Sequence, residues 1–200
     1  MRNKVYSKRQ RKIYSLFNQI LKNSFIAKLI HKDQIISDPD IDPQTGIYNL
    51  YAISSYLKEL YPHAESNFGI ILLSIDNLTE IKEKFKPNTA HKVLASIAQE
   101  LLKNIRDTDL IGRYSESEFI LILNDVNLDQ ANHVAQRLTQ LINKNPLKVM
   151  GKPISIKVSF GSSISQHDTM SNAVLEQADQ ALHIAKSNPN RFYSSTGVVS

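Results

Sequence analysis

Cysteine is absent from the 200 residues of this chain. That excludes a disulfide scaffold, a Cys-based zinc site and a thiol nucleophile, and it agrees with a reducing compartment. No stretch reaches the roughly 18 consecutive apolar residues that a membrane-spanning helix requires, and no small-residue cleavage site follows an apolar segment as it would in a signal peptide. Internal repeats and low-complexity tracts are missing too. No G-x-x-x-x-G-K-[ST] loop and no nucleophile elbow occurs. The six histidines (His31, His63, His91, His133, His167, His183) show no metal-ligand spacing, so they are read as surface or partly buried side chains. What is present is a hydrophobic fraction of 42%, too rich for a disordered chain, at a length that fits one domain or one domain with an appendage.

The formal charge of +5 is unevenly placed. Residues 1 to 39 carry nine basic side chains against two acids, a net +7, which leaves fifteen basic and seventeen acidic residues, a net −2, for the remainder. A basic surface that attracts nucleic-acid polymers is therefore not expected of the main body. Residues 8 to 31 read as a basic amphipathic helix whose apolar stripe, from Ile13 to Ile30, drifts too much for a long coiled coil. Its bland reading is packing on its own domain or on a second copy in a homodimer. The sharper one is peripheral contact with an anionic membrane, since lysines flank Phe and Leu.

Beyond this segment, Ser37 to Gly46 holds two prolines, a glycine and three acids and reads as a linker or turn. The domain boundary is placed there, giving an appendage over 1–39 and a domain over 40–200. Periodicity predicts helices over 49–61, 77–86, 89–105, 128–143 and 171–187, with Asn127 and Gln130 at capping-box spacing before the fourth. It predicts a buried strand over 68–75, a hairpin of 110–114 with 118–123, and a half-buried strand over 154–164. The Phe and Tyr side chains lie on apolar faces and are expected in the core. This order argues for one α/β domain with a mainly antiparallel central sheet flanked by helices.

Four segments carry a resemblance. Asp42-Pro-Gln-Thr-Gly-Ile-Tyr-Asn49, Gly112-Arg-Tyr-Ser-Glu-Ser-Glu-Phe119, Val158-Ser-Phe-Gly161 and Ala178-Asp-Gln-Ala-Leu-His-Ile-Ala-Lys186 follow one another in the order and spacing of the GGDEF family. They resemble its D-x-L-T-G-L-x-N, G-R-Y-G-G-D-E-F, V-S-x-G and A-D-x-A-L-Y-x-A-K. The family's domain condenses two GTP molecules into cyclic di-GMP. The resemblance implies that a carboxylate ending the first strand and an acid in the hairpin turn hold divalent metal on the GTP phosphates, because Mg²⁺ prefers hard, negatively charged oxygens. Those positions are Ser74 and Ser117. The turn glycines, which let backbone approach phosphate closely, are Ser115 and Glu116. The guanine-reading Asn and Asp fall at Lys82 and His91. Lys186 is kept as a phosphate contact by analogy, whereas the arginine expected four residues later is Asn190, with Arg191 one place off. Asp76 and Glu118 remain, and Asp76 is read as the N-cap of the helix that starts there. The implied active site (Ser74, Asp76, Ser115, Glu116, Ser117, Glu118) is thus vestigial: no cyclase activity, no metal and no required cofactor are expected.

A second motif of the family, the R-x-x-D site that binds the product, is matched by Arg106-Asp-Thr-Asp109, and its further arginine by Arg137 in Ala135-Gln-Arg-Leu138. Arginine suits the O6/N7 edge of guanine or a phosphate, and aspartate accepts from guanine N1 and N2. The bland alternative has Arg106 capping a helix C-terminus while Asp109 pairs with it or caps a turn. The expectation is a cytoplasmic receptor, peripheral to the inner membrane if the basic helix contacts it, that binds cyclic di-GMP at Arg106, Asp109 and Arg137 and signals through a protein partner. Two other readings stand beside it: a nucleotide-independent interaction scaffold, and an active cyclase using Glu118 and Asp76.

Overall fold

Every side chain of Phe68–Ile75 (β1) is buried, so this strand lies inside a sheet covered on both faces. The computed structural model describes residues 39–63, 67–85, 88–144, 147–149, 152–166, 170–188 and 191–195. The basic helix predicted over 8–31 lies outside the described residues. Within them the order is α1 Leu50–His63, β1, α2 Leu78–Lys84, α3 Asn88–Lys103, β2 Leu110–Arg113, β3 Glu118–Asn124, α4 Leu128–Lys144, β4 Leu147–Val149, β5 Lys152–Ile154, β6 Val158–Ile164, α5 Ser171–Ser187 and β7 Phe192–Ser195. Five strands form one sheet in the order β2-β3-β1-β6-β7. All its pairings are antiparallel except that of β6 with β7.

Because successive side chains of a strand point to opposite faces, β1 feeds two cores. Ile71, Leu73 and Ile75 pack with α2, α3 and α4. Phe68, Ile70 and Leu72 pack with Ile53 and Leu57 of α1 and with Val174, Ala178 and Leu182 of α5. The domain is therefore a three-layer α/β/α arrangement, as the predicted elements implied.

The ends of the elements are set locally. The Asp42 side chain accepts hydrogen bonds from the Thr45 amide at 2.8 Å and the Thr45 hydroxyl at 2.5 Å, and Gly46 completes the turn at φ 72°, a conformation glycine adopts freely. The segment predicted as a linker or turn is thus a packed turn, with Ile41 and Thr45 buried. Asn49 then caps α1 by accepting from the Ala52 amide at 2.9 Å. The predicted capping box on α4 is formed reciprocally: the Gln130 amide donates to Asn127 Oδ1 and the Asn127 amide to Gln130 Oε1, both at 2.9 Å. Asn127→Ala should cost about 1 kcal/mol, lowering the melting midpoint by roughly 2–4 °C. Thermal circular dichroism measures this, and an unchanged midpoint would mean that the box adds no stability.

Four expectations need correction. The strand predicted over 154–164 is interrupted. Its first residue, Ile154, ends β5 and pairs with β4 in a separate hairpin, and the chain leaves strand pairing at 155–157, where Asn77 Nδ2 donates to the Ser155 carbonyl and Asn77 Oδ1 accepts from the Lys157 amide, both at 2.9 Å. The alternation of Ile154, Ile156, Val158 and Phe160 runs through that break and hides it. Nor is β6 half-buried: Ser159 and Ser163 on one face and Ser162 on the other are all enclosed, each bonded to a polar side chain, Asp76, Gln177 and Asn132 respectively, so both faces of the strand are covered by protein rather than water. The hairpin of β4 with β5, and the four-residue β7, carry too little pattern to be predicted. Finally, Phe68, Phe119 and Phe160 are core residues as expected, but Tyr51 and Tyr193 are exposed.

Candidate functional site

Two separate constellations sit at opposite ends of β2, a four-residue strand and hence about 13 Å long. The first surrounds the turn between β2 and β3. Ser74 on β1 lies opposite Glu118 on one side and Ser159 on the other. Paired residues share a face, so these three side chains and Asp76, two residues further on, project toward the layer that contains α5.

Each acid of this region has a cation of its own. Asp76 Oδ2 accepts from Arg191 Nη1 and from Ser159 Oγ, both at 2.7 Å. Glu118 pairs with Lys186 of α5 at 2.9 Å and accepts from Ser115 Oγ at 2.9 Å. Glu116 pairs with Lys82 of α2, and that lysine holds its carboxyl below the usual range through a direct hydrogen bond and charge. Arg113 anchors the turn from beneath. Its Nε donates to the Ser115 carbonyl at 2.5 Å and its Nη2 to the Glu116 carbonyl, while its guanidinium carbon lies 5.0 Å from the centre of the Phe119 ring. Burial is the main influence pushing the Arg113 pKa down, opposed by the charges of Asp42 and Glu116. Ser117 contributes its carbonyl, which accepts from the Ile75 amide at 2.9 Å.

Asp76 is not the N-cap that the sequence reading favoured. The cap position is Asn77, which makes no side-chain cap bond, because its amide is committed to the 155–157 break and Asp76 is turned toward Arg191. Among the described residues no group of three or more His, Cys, Asp or Glu side chains is placed to hold a metal ion. The divalent cation that the family resemblance implies does not fit: two ligand positions carry hydroxyls, and the remaining carboxylates are neutralised by protein cations. In the sequence Lys82 and Arg191 stand out only as lost nucleotide contacts. Their pairing with Glu116 and Asp76 was signalled only by the coincidence that a new base appears wherever a new or orphaned acid stands.

The second constellation is the turn between α3 and β2. Asp109 is buried. Its Oδ2 accepts from the Arg106 amide at 3.0 Å, its Oδ1 from the Asn124 amide at 3.3 Å, and its own amide donates to the Arg106 carbonyl at 3.1 Å. Arg137 of α4 donates from Nη2 to the Asn104 carbonyl at 2.6 Å, at the end of α3, which places its guanidinium beside the turn. A cavity of about 310 Å³ opens here, lined by Arg106, Asp109, Leu123, Val126, Gln130, His133 and Val134. Arg106 and Asp109 thus line the cavity, whereas Arg137 lies beside the turn but outside that lining, and Asp109 is buried rather than on the surface. Asp109 also performs the turn-capping role of the bland alternative, through the Arg106 amide rather than its guanidinium.

Residues 40–191 match the family model for the diguanylate cyclase GGDEF domain. The chain is 34% identical over 148 residues to the diguanylate cyclase DgcP of Pseudomonas aeruginosa, covering 72% of this chain and 22% of that protein. To the diguanylate cyclase DosC of Escherichia coli it is 25% identical over 150 residues, covering 73% of this chain and 33% of that protein. It thus spans only about a fifth to a third of the length of these curated relatives. Among solved structures, the GGDEF domain of DgcB from Caulobacter crescentus in complex with c-di-GMP superposes with a TM-score of 0.75 at 20% identity, covering 80% of this chain and 98% of that one. The diguanylate cyclase SiaD of Pseudomonas aeruginosa, in complex with its activator SiaC, gives 0.72 at 20% identity over 94% of this chain and 71% of that one.

Proposed function

Since this chain belongs to the GGDEF family, we propose that its domain is a catalytically silent receptor for cyclic di-GMP, which binds at Arg106, Asp109 and Arg137 and passes the signal to a protein partner. The observation that carries the reading is the contrast between the two constellations. At the degenerate turn every surviving acid is paired to a base, so the site offers neither net negative charge for a metal nor free cations for phosphates. At the other end of β2, the Arg106 side chain is exposed on the wall of a cavity with both apolar and polar lining. That composition suits a purine face together with a phosphate. The DgcB domain was crystallised with c-di-GMP and SiaD with a protein activator, so a nucleotide and a protein partner are both within the family's range.

Ligand binding would clamp the turn before β2 against α4, or bridge two copies, and so shift the population of states that a partner recognises. No helix among the described residues is long and apolar enough to cross a membrane. A scaffold that binds no nucleotide is the second reading, favoured by the exposed Leu50 and Tyr51 at the start of α1.

Isothermal titration with cyclic di-GMP tests the proposal. Binding is expected at about 100 µM protein or below, weakened at least tenfold in Arg106→Ala, about 1.4 kcal/mol. Absence of heat would leave the scaffold reading in place, whereas equal binding by the variant would put the ligand elsewhere and overturn the site at Arg106. Product formed from GTP with Mg²⁺ or Mn²⁺, and lost in Glu118→Gln, would establish an active enzyme instead.

A further inference from the structure

Asp76 is the one acid retained at the end of β1, and its surroundings are unusual. Arg191 meets it from just before β7 with a backbone φ of 52°, a left-handed conformation that a residue with a long side chain seldom adopts. The conformation is held from both sides: the Arg191 amide donates to the Asn188 carbonyl and the Arg191 carbonyl accepts from the Phe160 amide, both at 2.9 Å. The guanidinium reaches Asp76 Oδ2, which Ser159 Oγ also contacts, while Asp76 Oδ1 is enclosed without a hydrogen-bond partner. A carboxylate with one oxygen paired and the other enclosed and unpaired is a poor arrangement for a simple surface ion pair. The guanidinium donates to only one of the two oxygens, yet it brings a full positive charge to the end of β1.

We propose that Arg191 is a built-in cation that neutralises the end of β1 and so closes the degenerate site to a divalent metal. One guanidinium charge cancels the Asp76 carboxylate, and Lys186 does the same for Glu118. With Ser74 uncharged between them, no net negative charge is left to draw a doubly charged ion from water. The arrangement also binds the start of β7 to the end of β1, so the same contact holds the sheet edge and excludes the metal. The inference rests on the silent-site half of the proposed function and is independent of the cavity at Arg106.

Manganese titration followed by the loss of the free-ion EPR signal tests it in the wild-type chain, in Ser74→Asp, and in Ser74→Asp combined with Arg191→Ala. Wild type and Ser74→Asp should leave Mn²⁺ free at about 1 mM, and the double variant should bind at least tenfold more tightly. Ser74→Asp with Arg191→Gln, which keeps the side-chain bulk, serves where the alanine variant does not fold. Equal Mn²⁺ binding by Ser74→Asp alone, or none by either double variant, would overturn the role given to Arg191. GTP turnover by the wild-type chain would instead overturn the silent-site reading, so the two failures are distinguishable.

Discussion

Replacing Gly161 by alanine should lower the melting midpoint by about 6–12 °C, a loss of roughly 3 kcal/mol at 2–4 °C per kcal/mol for a domain of this size. A Cβ at that position would lie 2.1 Å from the Leu182 amide nitrogen, 2.4 Å from the Ala178 carbonyl oxygen and 2.6 Å from the Leu182 Cα. All three are backbone atoms of α5, so no rotamer change relieves the clash. The helix itself must lift from β6. That movement would loosen Val174, Ala178, Ala181, Leu182 and Ala185, all buried. It would also move Lys186 away from Glu118, linking a packing defect to the degenerate turn.

The comparison with Gly112 sharpens the expectation. A Cβ there would come within 2.2 Å of Ile53 Cγ1 and 2.8 Å of its Cδ1, which are side-chain atoms, and 3.1 Å from the Tyr48 carbonyl. Ile53 is fully buried and β-branched, so it yields only by repacking of side chains, at the usual overpacking cost of about 1–3 kcal/mol. Thermal melts of Gly112→Ala and Gly161→Ala rank the two, and a lower midpoint for Gly112→Ala would show that α5 yields more easily than Ile53.

Gly161 illustrates what the sequence displays and what it withholds. As part of Val158-Ser-Phe-Gly161 it contributed to the family resemblance, but the cause of the glycine, a helix backbone resting on the strand, involves residues about twenty positions away. The helices and the central strands were readable because long amphipathic or uniformly apolar runs dominate local alternatives. The break at 155–157 was not, since it depends on the Asn77 amide, distant in sequence. For the same reason Asp76 read as a cap: an acid ahead of a helix is the usual signal, and its partner Arg191 stands 115 residues later. The sequence did mark Arg191 as displaced by one position, but not the left-handed backbone at that residue or the reach of its side chain to Asp76. At the other site, Arg106, Asp109 and Arg137 were legible as a motif, while the structural duty of Asp109 was legible only as one of two alternatives.

That duty sets the second large effect. Asp109→Ala should cost about 2–4 kcal/mol of stability, because an unpaired buried donor costs about 1–3 kcal/mol and the Arg106 and Asn124 amides would both lose their acceptor. The turn would also lose its tie to β3, which is reinforced on the other side by Asn124 Nδ2 donating to the Thr108 carbonyl. Asp109→Asn should fall between, since its carbonyl oxygen keeps one acceptor and its NH₂ faces the second amide. Arg106→Ala should behave differently. The Arg106 side chain is exposed, so its removal should change stability by no more than about 0.5 kcal/mol. Arg137→Ala gives up one bond to the Asn104 carbonyl near the C-terminus of α3, worth about 0.3–1 kcal/mol. Urea denaturation paired with cyclic di-GMP titration separates these roles: the two arginine variants should lose ligand while remaining folded, whereas Asp109→Ala should lose both together. Weak binding by Asp109→Ala is therefore not by itself proof that Asp109 touches the nucleotide, and the arginines are the informative positions. A midpoint for Asp109→Ala close to that of Arg106→Ala would contradict the buried cap and return Asp109 to the ligand.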